Sequence, residues 1–153
     1  MMARMLPPPY LSEKPNYGER KIFDEFTKSK STDDWIVLHS VLQQDHIEKK
    51  YGEIDFIVLA PGLGIFCLEV KGASKISRSD GVWMSTTDTS EGPQIYTKTE
   101  SPFDQVHKNM FSLIAFIRKR LGKKFERLNF GYGVIFPRLT FEKSLGADEE
   151  DYM

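Results

Sequence analysis

Apolar and polar positions alternate along this chain with two different periods. Across Tyr17–Lys28, Ile22, Phe23 and Phe26 fall on one stripe, which predicts a short amphipathic helix. Residues 35–42 (WIVLHSVL) are apolar and β-branched and predict a strand. Glu53–Ala60 (EIDFIVLA) and residues 65–71 (IFCLEVK) predict two more, joined by Pro61-Gly62-Leu63-Gly64, which has the turn chemistry of a hairpin. Residues 81–86 and 94–99 predict a lesser hairpin with residues 87–93 as its polar tip. The strongest helical pattern follows: Val106, Met110, Leu113, Ile114, Ile117 and Leu121 recur at helical spacing. Ser101 is placed as its N-cap, Pro102 as its first residue, Asp104 as the acid of a capping box and Gly122 as its stop. Residues 132–136 predict a last strand, closed by Pro137.

Strands followed by one crossover helix and a further strand predict an α/β fold, a mixed central sheet flanked by helices in αβββαβ order with an extra hairpin. Residues 1–16, with Pro7, Pro8, Pro9 and Pro15, read as an extended lead-in, and 17–137 as the folded domain. Residues 138–153 read as an acidic extension leading to a further domain. The length of 153 residues suits one domain with one real core, and 40% hydrophobic with 28% charged residues excludes a disordered or collagen-like chain. The net charge of −1 hides an asymmetry: residues 118–127 carry six bases against Glu126, and 142–151 carry five acids against Lys143. A single cysteine, Cys67, excludes a disulfide framework and a cysteine-based zinc site. No apolar run approaches the roughly 20 residues that cross a bilayer, and the start lacks a secretory h-region, so a soluble protein of a reducing compartment, without a membrane partner, is expected.

Candidate chemistry comes from acids and bases inside apolar strands. In the third strand Phe66, Leu68 and Val70 share one face, and Cys67, Glu69 and Lys71 the other. The neighbours of Glu69 are core-like, so a carboxylate and an ammonium there are paired, metal-bound or wet. Asp55 shares a strand face with Ile57 and Leu59. A hairpin register that sets Asp55 opposite Glu69 or Lys71 gathers all three, whereas one that sets it opposite Val70 turns it away. A turn made of Gly62-Leu63-Gly64 gives the first outcome, with Asp55 opposite Lys71. Two carboxylates beside an amine suit Mg²⁺ or Mn²⁺ and phosphoryl chemistry, in which the lysine orients the attacking water. The alternative is a satisfied salt bridge at a sheet margin. Glu19 shares its helical face with the apolar stripe, and it also stands three residues after Asn16, where it would complete a capping box.

Gly18-Glu19-Arg20, Gly52-Glu53-Ile54-Asp55, the run from Gly64 to Gly72, Gly81-Val82-Trp83 and Ser101-Pro102-Phe103-Asp104-Gln105 together resemble the nuclease-related domain, NERD, of the PD-(D/E)XK superfamily. The resemblance implies a restriction-endonuclease-like fold and a metal-dependent nuclease acting on DNA. It makes Asp55 and Glu69 ligands of Mg²⁺ or Mn²⁺, Lys71 the catalytic lysine, Glu19 a supporting acid and Gln105 a glutamine aimed at the same site. Ile54 replaces the proline of the superfamily's motif. The lead-in and the 59–64 stretch are also similar to NERD regions that precede superfamily I DNA helicases, which implies a helicase domain as partner in a cytoplasmic DNA-repair protein. No GxxxxGK[ST] motif occurs in the chain. The competing reading is a catalytically silent DNA-binding or docking module.

Lys75 and Arg78, just after Lys71, are candidate DNA contacts, and the 118–127 cluster is either a phosphate-contacting patch or a solvated helix end. His39, His46 and His107 have no ligand spacing: His39 reads as a packed strand residue, and His107 as a possible neighbour of the site through Gln105. Cys67 reads as core filling, and Trp35 and Trp83 as core or sheet-face aromatics.

Overall fold

A computed structural model describes residues 2–8, 17–42 and 53–140. Strands β1 (Arg4–Leu6), β2 (Ile36–Leu42), β3 (Glu53–Ala60), β4 (Gly64–Val70) and β8 (Phe130–Ile135) form one sheet in the order β1-β2-β3-β4-β8. Pairing is parallel at β1–β2 and β4–β8 and antiparallel between, so the sheet is mixed. Helices α1 (Tyr17–Lys28) and α2 (Pro102–Leu121) serve its two apolar clusters. This is the restriction-endonuclease-like α/β arrangement, with β1 added at one edge. A second sheet of β5 (Lys75–Ser79), β6 (Val82–Thr89) and β7 (Gly92–Lys98) is inserted between β4 and α2.

Period-two alternation splits the core. Val37, Phe56, Val58, Ala60 and Val70 pack with Phe23 of α1, and Ile22 and Phe26 close over them. Ile57, Ile65 and Cys67 pack on the other side with Val106, Met110 and Ile114, the stripe of α2. Burying each such aliphatic or aromatic side chain stabilises the fold by about 1.5–3 kcal/mol, and this fixes both helices against the sheet. Ser101 caps α2, its hydroxyl accepting the Phe103 N–H at 3.1 Å, and Gly122, at φ 63°, ends it by donating its N–H to the Arg118 carbonyl.

The β3–β4 hairpin differs from expectation in its turn. Ala60 pairs with Gly64, so the connection is Pro61-Gly62-Leu63, and continuing the register sets Asp55 opposite Glu69 rather than Lys71. The reason lies in the two glycines. Gly62 takes the positive φ of the turn (77°), while Gly64 is already in the strand, where a Cβ would stand 2.4 Å from the Asn129 carbonyl oxygen. The lesser hairpin also corrects the reading: β6 runs on to Thr89 and β7 begins at Gly92, so Ser90 and Glu91 alone make the tip. Its third strand, β5, has no apolar pattern because it is mostly exposed, and Arg4–Leu6 of the lead-in is a strand paired with β2. His39 is buried, with Nε2 2.8 Å from the Pro7 carbonyl. His46, Asn16, Gly52 and the acidic 142–151 stretch lie outside the described residues.

Candidate active site

β4 carries the chemistry because it is flanked on both sides. Antiparallel pairing to β3 and parallel pairing to β8 bury Glu69, whose side chain is 6% exposed. At the carboxyl end of β4, Lys71 keeps one ladder bond, its N–H donating to the Ile135 carbonyl at 2.9 Å. Its side chain turns back to Glu69, with Nζ 2.5 Å from Oε1. The lysine side chain is 28% exposed and so reaches solvent from a buried partner.

Gln105, on the first turn of α2, fastens both. Its Nε2 donates to Glu69 Oε1 at 3.0 Å and its Oε1 accepts from Lys71 Nζ at 3.2 Å. Val106 next to it is core, which holds the helix and therefore the amide in place. The N-terminus of α2 thus borders the site, and its dipole favours anions there.

Asp55 enters where the β3–β4 ladder opens. Beyond the Phe56–Leu68 pair its Oδ2 accepts the Val70 N–H at 2.7 Å, in place of a backbone carbonyl. Burial first, and then the nearby carboxylates of Glu69 and Glu19, push its pKa up to about 8, against the opposite pull of the Val70 N–H and Lys71. Glu69 Oε2 is buried with no hydrogen-bond partner among the described residues. Crowded acids and an orphaned carboxylate oxygen are what a hard divalent cation relieves. Among the described residues no three His, Cys, Asp or Glu side chains are grouped to hold a metal. Asp55 and Glu69 are the pair that fits one, with remaining positions left to water and phosphate, as Mg²⁺ prefers.

Glu19 is carried in by a close helix approach. Gly18 lies on β4: a Cβ there would meet Val70 Cγ1 at 3.1 Å and the Gly72 Cα at 3.2 Å. With Ile22 and Phe23 packed in the core, the next side chain along faces the same cleft as Asp55, Glu69, Lys71 and Gln105. That cleft, of about 360 Å³, admits a hydrated cation with a phosphodiester group.

Lys75 and Arg78 are both exposed on β5 and neither lines this cleft; Arg78 lies over the Trp83 ring at 5.8 Å. The 118–127 cluster begins about 20 Å along α2 from Gln105, at 1.5 Å per residue. His107 is turned to the Phe111 and Tyr132 rings, both at 4.8 Å, and away from the cleft. Cys67 is fully buried and burial pushes its thiol up to about 11, so it is core. The far wall was not foreseen: Ser85, Thr87, Tyr96, Lys98 and Glu100 also line the cleft, together with Trp83. Alternation along β6 and β7 was its sequence signal, masked by polar residues on both faces.

No helix among the described residues is long and apolar enough to cross a membrane. The family profile described as NERD, nuclease-related domain, matches residues 14–139. No curated protein and no solved structure matches the chain.

Proposed function

From the premise that this chain belongs to the nuclease-related domain family, we propose that it is a Mg²⁺- or Mn²⁺-dependent nuclease domain that hydrolyses DNA phosphodiester bonds. The observation that carries the reading is the buried, unpartnered Oε2 of Glu69 beside the Asp55 carboxylate, with Lys71 on the other oxygen. Asp55 and Glu69 hold the cation. When bound it supplies Lewis-acid polarisation of the phosphodiester and eases the deprotonation of water. Lys71 orients the attacking water and donates to a phosphate oxygen, which spreads the charge that grows during displacement. Gln105 holds Lys71 and Glu69 in register, and Glu19 adds negative charge that strengthens cation binding. The setting we propose is a cytoplasmic DNA-processing protein with a helicase partner. A net charge of −1 gives weak electrostatic attraction to a phosphate backbone, and a partner that holds DNA answers that deficit.

The test is cleavage of labelled DNA by the parent, Glu69→Ala and Lys71→Ala proteins, with Mg²⁺ or Mn²⁺ and with EDTA. Metal-dependent cutting lost in both variants is expected. Cutting that persists in EDTA or in Lys71→Ala refutes the assignment, and DNA binding without cutting by the parent leaves the docking-module reading.

A further inference from the structure

The far wall of the cleft has an order of its own. Across the small sheet Arg78 pairs with Trp83 and Trp83 with Lys98, and in the next rung on the same face Ile76 pairs with Ser85 and Ser85 with Tyr96. This is the face turned to Asp55 and Glu69, since Ile76, Trp83, Ser85, Tyr96 and Lys98 all line the cleft. Trp83 is half-buried between Phe103, 6.3 Å away, and the Arg78 guanidinium. Tyr96 is 50% exposed, with its hydroxyl donating to Gln94 Oε1 at 2.6 Å. Lys98 is exposed and forms no ion pair among the described residues, while its acidic neighbour in the cleft, Glu100, is bound to Lys108 at 2.6 Å.

We propose that this face is a platform for one unpaired strand of nucleic acid, with Tyr96 stacking on a base and Lys98 pairing with the adjacent phosphate. The inference rests on the nuclease reading and names the substrate form: single-stranded rather than duplex DNA. Its physical ground is that base faces in a duplex are covered by their neighbours, so a duplex offers the wall phosphates alone. An unpaired strand offers π-faces as well, which an exposed tyrosine beside a lysine recognises without regard to sequence. A wall built for duplex would be expected to carry a row of bases instead of two aromatic rings.

The experiment is fluorescence anisotropy of the full chain in EDTA, with a labelled oligonucleotide of about a dozen nucleotides, a length within the span of single-strand sites, alone or annealed to its complement. Single strand is expected to bind at least about tenfold more tightly than duplex, and Tyr96→Ala to lose about tenfold in single-strand affinity while Tyr96→Phe retains it. Lys98→Gln is expected to lower the slope of log affinity against log salt by about 0.7. Both positions are exposed, and melting temperatures verify that each variant is folded. Equal affinity for the two forms, or parental binding by both Tyr96→Ala and Lys98→Gln, overturns the platform. Because no divalent cation is present, this outcome is independent of catalysis. Single-strand binding without metal-dependent cleavage refutes the nuclease reading alone, and parental single-strand cleavage by both Tyr96→Ala and Lys98→Gln refutes the platform alone.

Discussion

The Asp55 carboxylate accepts the Val70 N–H at 2.7 Å, so an acid side chain occupies the place of a strand carbonyl. The bond ties the aspartate's position to the backbone of β4 one residue from Glu69. Asp55→Ala leaves a buried N–H without an acceptor and is expected to destabilise the protein by about 1–3 kcal/mol. Asp55→Asn keeps an acceptor oxygen and removes the charge, so it is expected to be at least as stable as the parent in metal-free neutral buffer, yet inactive. Urea denaturation of the two variants beside a cleavage assay separates the structural from the chemical role.

The pH dependence of stability follows from the same residue. Its pKa is raised from 3.8 to about 8 on folding, so the folded state holds this proton more tightly than the unfolded chain. Its contribution to stability is full below about pH 4 and is lost as pH rises through about 8. The gap in melting temperature between Asp55→Asn and the parent is therefore expected to widen in favour of the variant from pH 4 to pH 8 in EDTA. Mn²⁺, by favouring the ionised form, is expected to narrow it. A gap that stays constant with pH would mean that Asp55 is ionised throughout.

Glu69→Gln tests the ligand role without disturbing the network. The amide oxygen still accepts from Lys71 and Gln105, while the buried unpartnered anion is gone. Thermal stability without metal is expected to hold or rise, and the heat of Mn²⁺ binding in a calorimetric titration to vanish. Parental Mn²⁺ affinity in this variant would remove Glu69 from the metal site.

Gln105 acts through its neighbours, as a positioning residue. Truncation to alanine frees Lys71 Nζ and Glu69 Oε1 from a shared partner, and loss of such supporting bonds typically lowers metal affinity or activity by about 10–100-fold. The expected signature is a fall in kcat and in Mn²⁺ affinity, with KM for DNA little changed. A rise in KM alone would make Gln105 a substrate contact.

In most helices a glycine-to-alanine change stabilises by about 0.8–1.0 kcal/mol. At Gly18 that gain is expected to be absent or reversed, because the new methyl meets Val70 and the backbone of Gly72. Any displacement of α1 also moves Glu19, so Gly18→Ala should lose activity in step with Glu19→Gln. Equilibrium denaturation gives the first effect and metal-dependent cleavage the second.

The sequence by itself determined the secondary elements with an apolar period and the faces they present. The stripe Ile22, Phe23, Phe26 and the α2 pattern from Val106 to Leu121 specify two helices, and alternation in EIDFIVLA and IFCLEVK sets Asp55 on the face of Ile57 and Leu59 and Glu69 on the face of Cys67 and Lys71. These are local properties, since a side chain's direction follows from strand or helix geometry within a few residues. Tertiary structure alone decided which residue opposes which. The turn closed at Ala60 and Gly64 because Gly64 must pass the Asn129 carbonyl, a neighbour distant in sequence that no hairpin rule contains. It alone brought Ile65 beside Phe130 to bury Glu69, and Gln105 onto both Glu69 and Lys71. The inserted sheet stayed illegible because its strands are exposed on much of both faces: with little apolar burial to enforce a period, β5 left no pattern, and Tyr96 and Lys98 gained their place only when the sheet closed over the cleft.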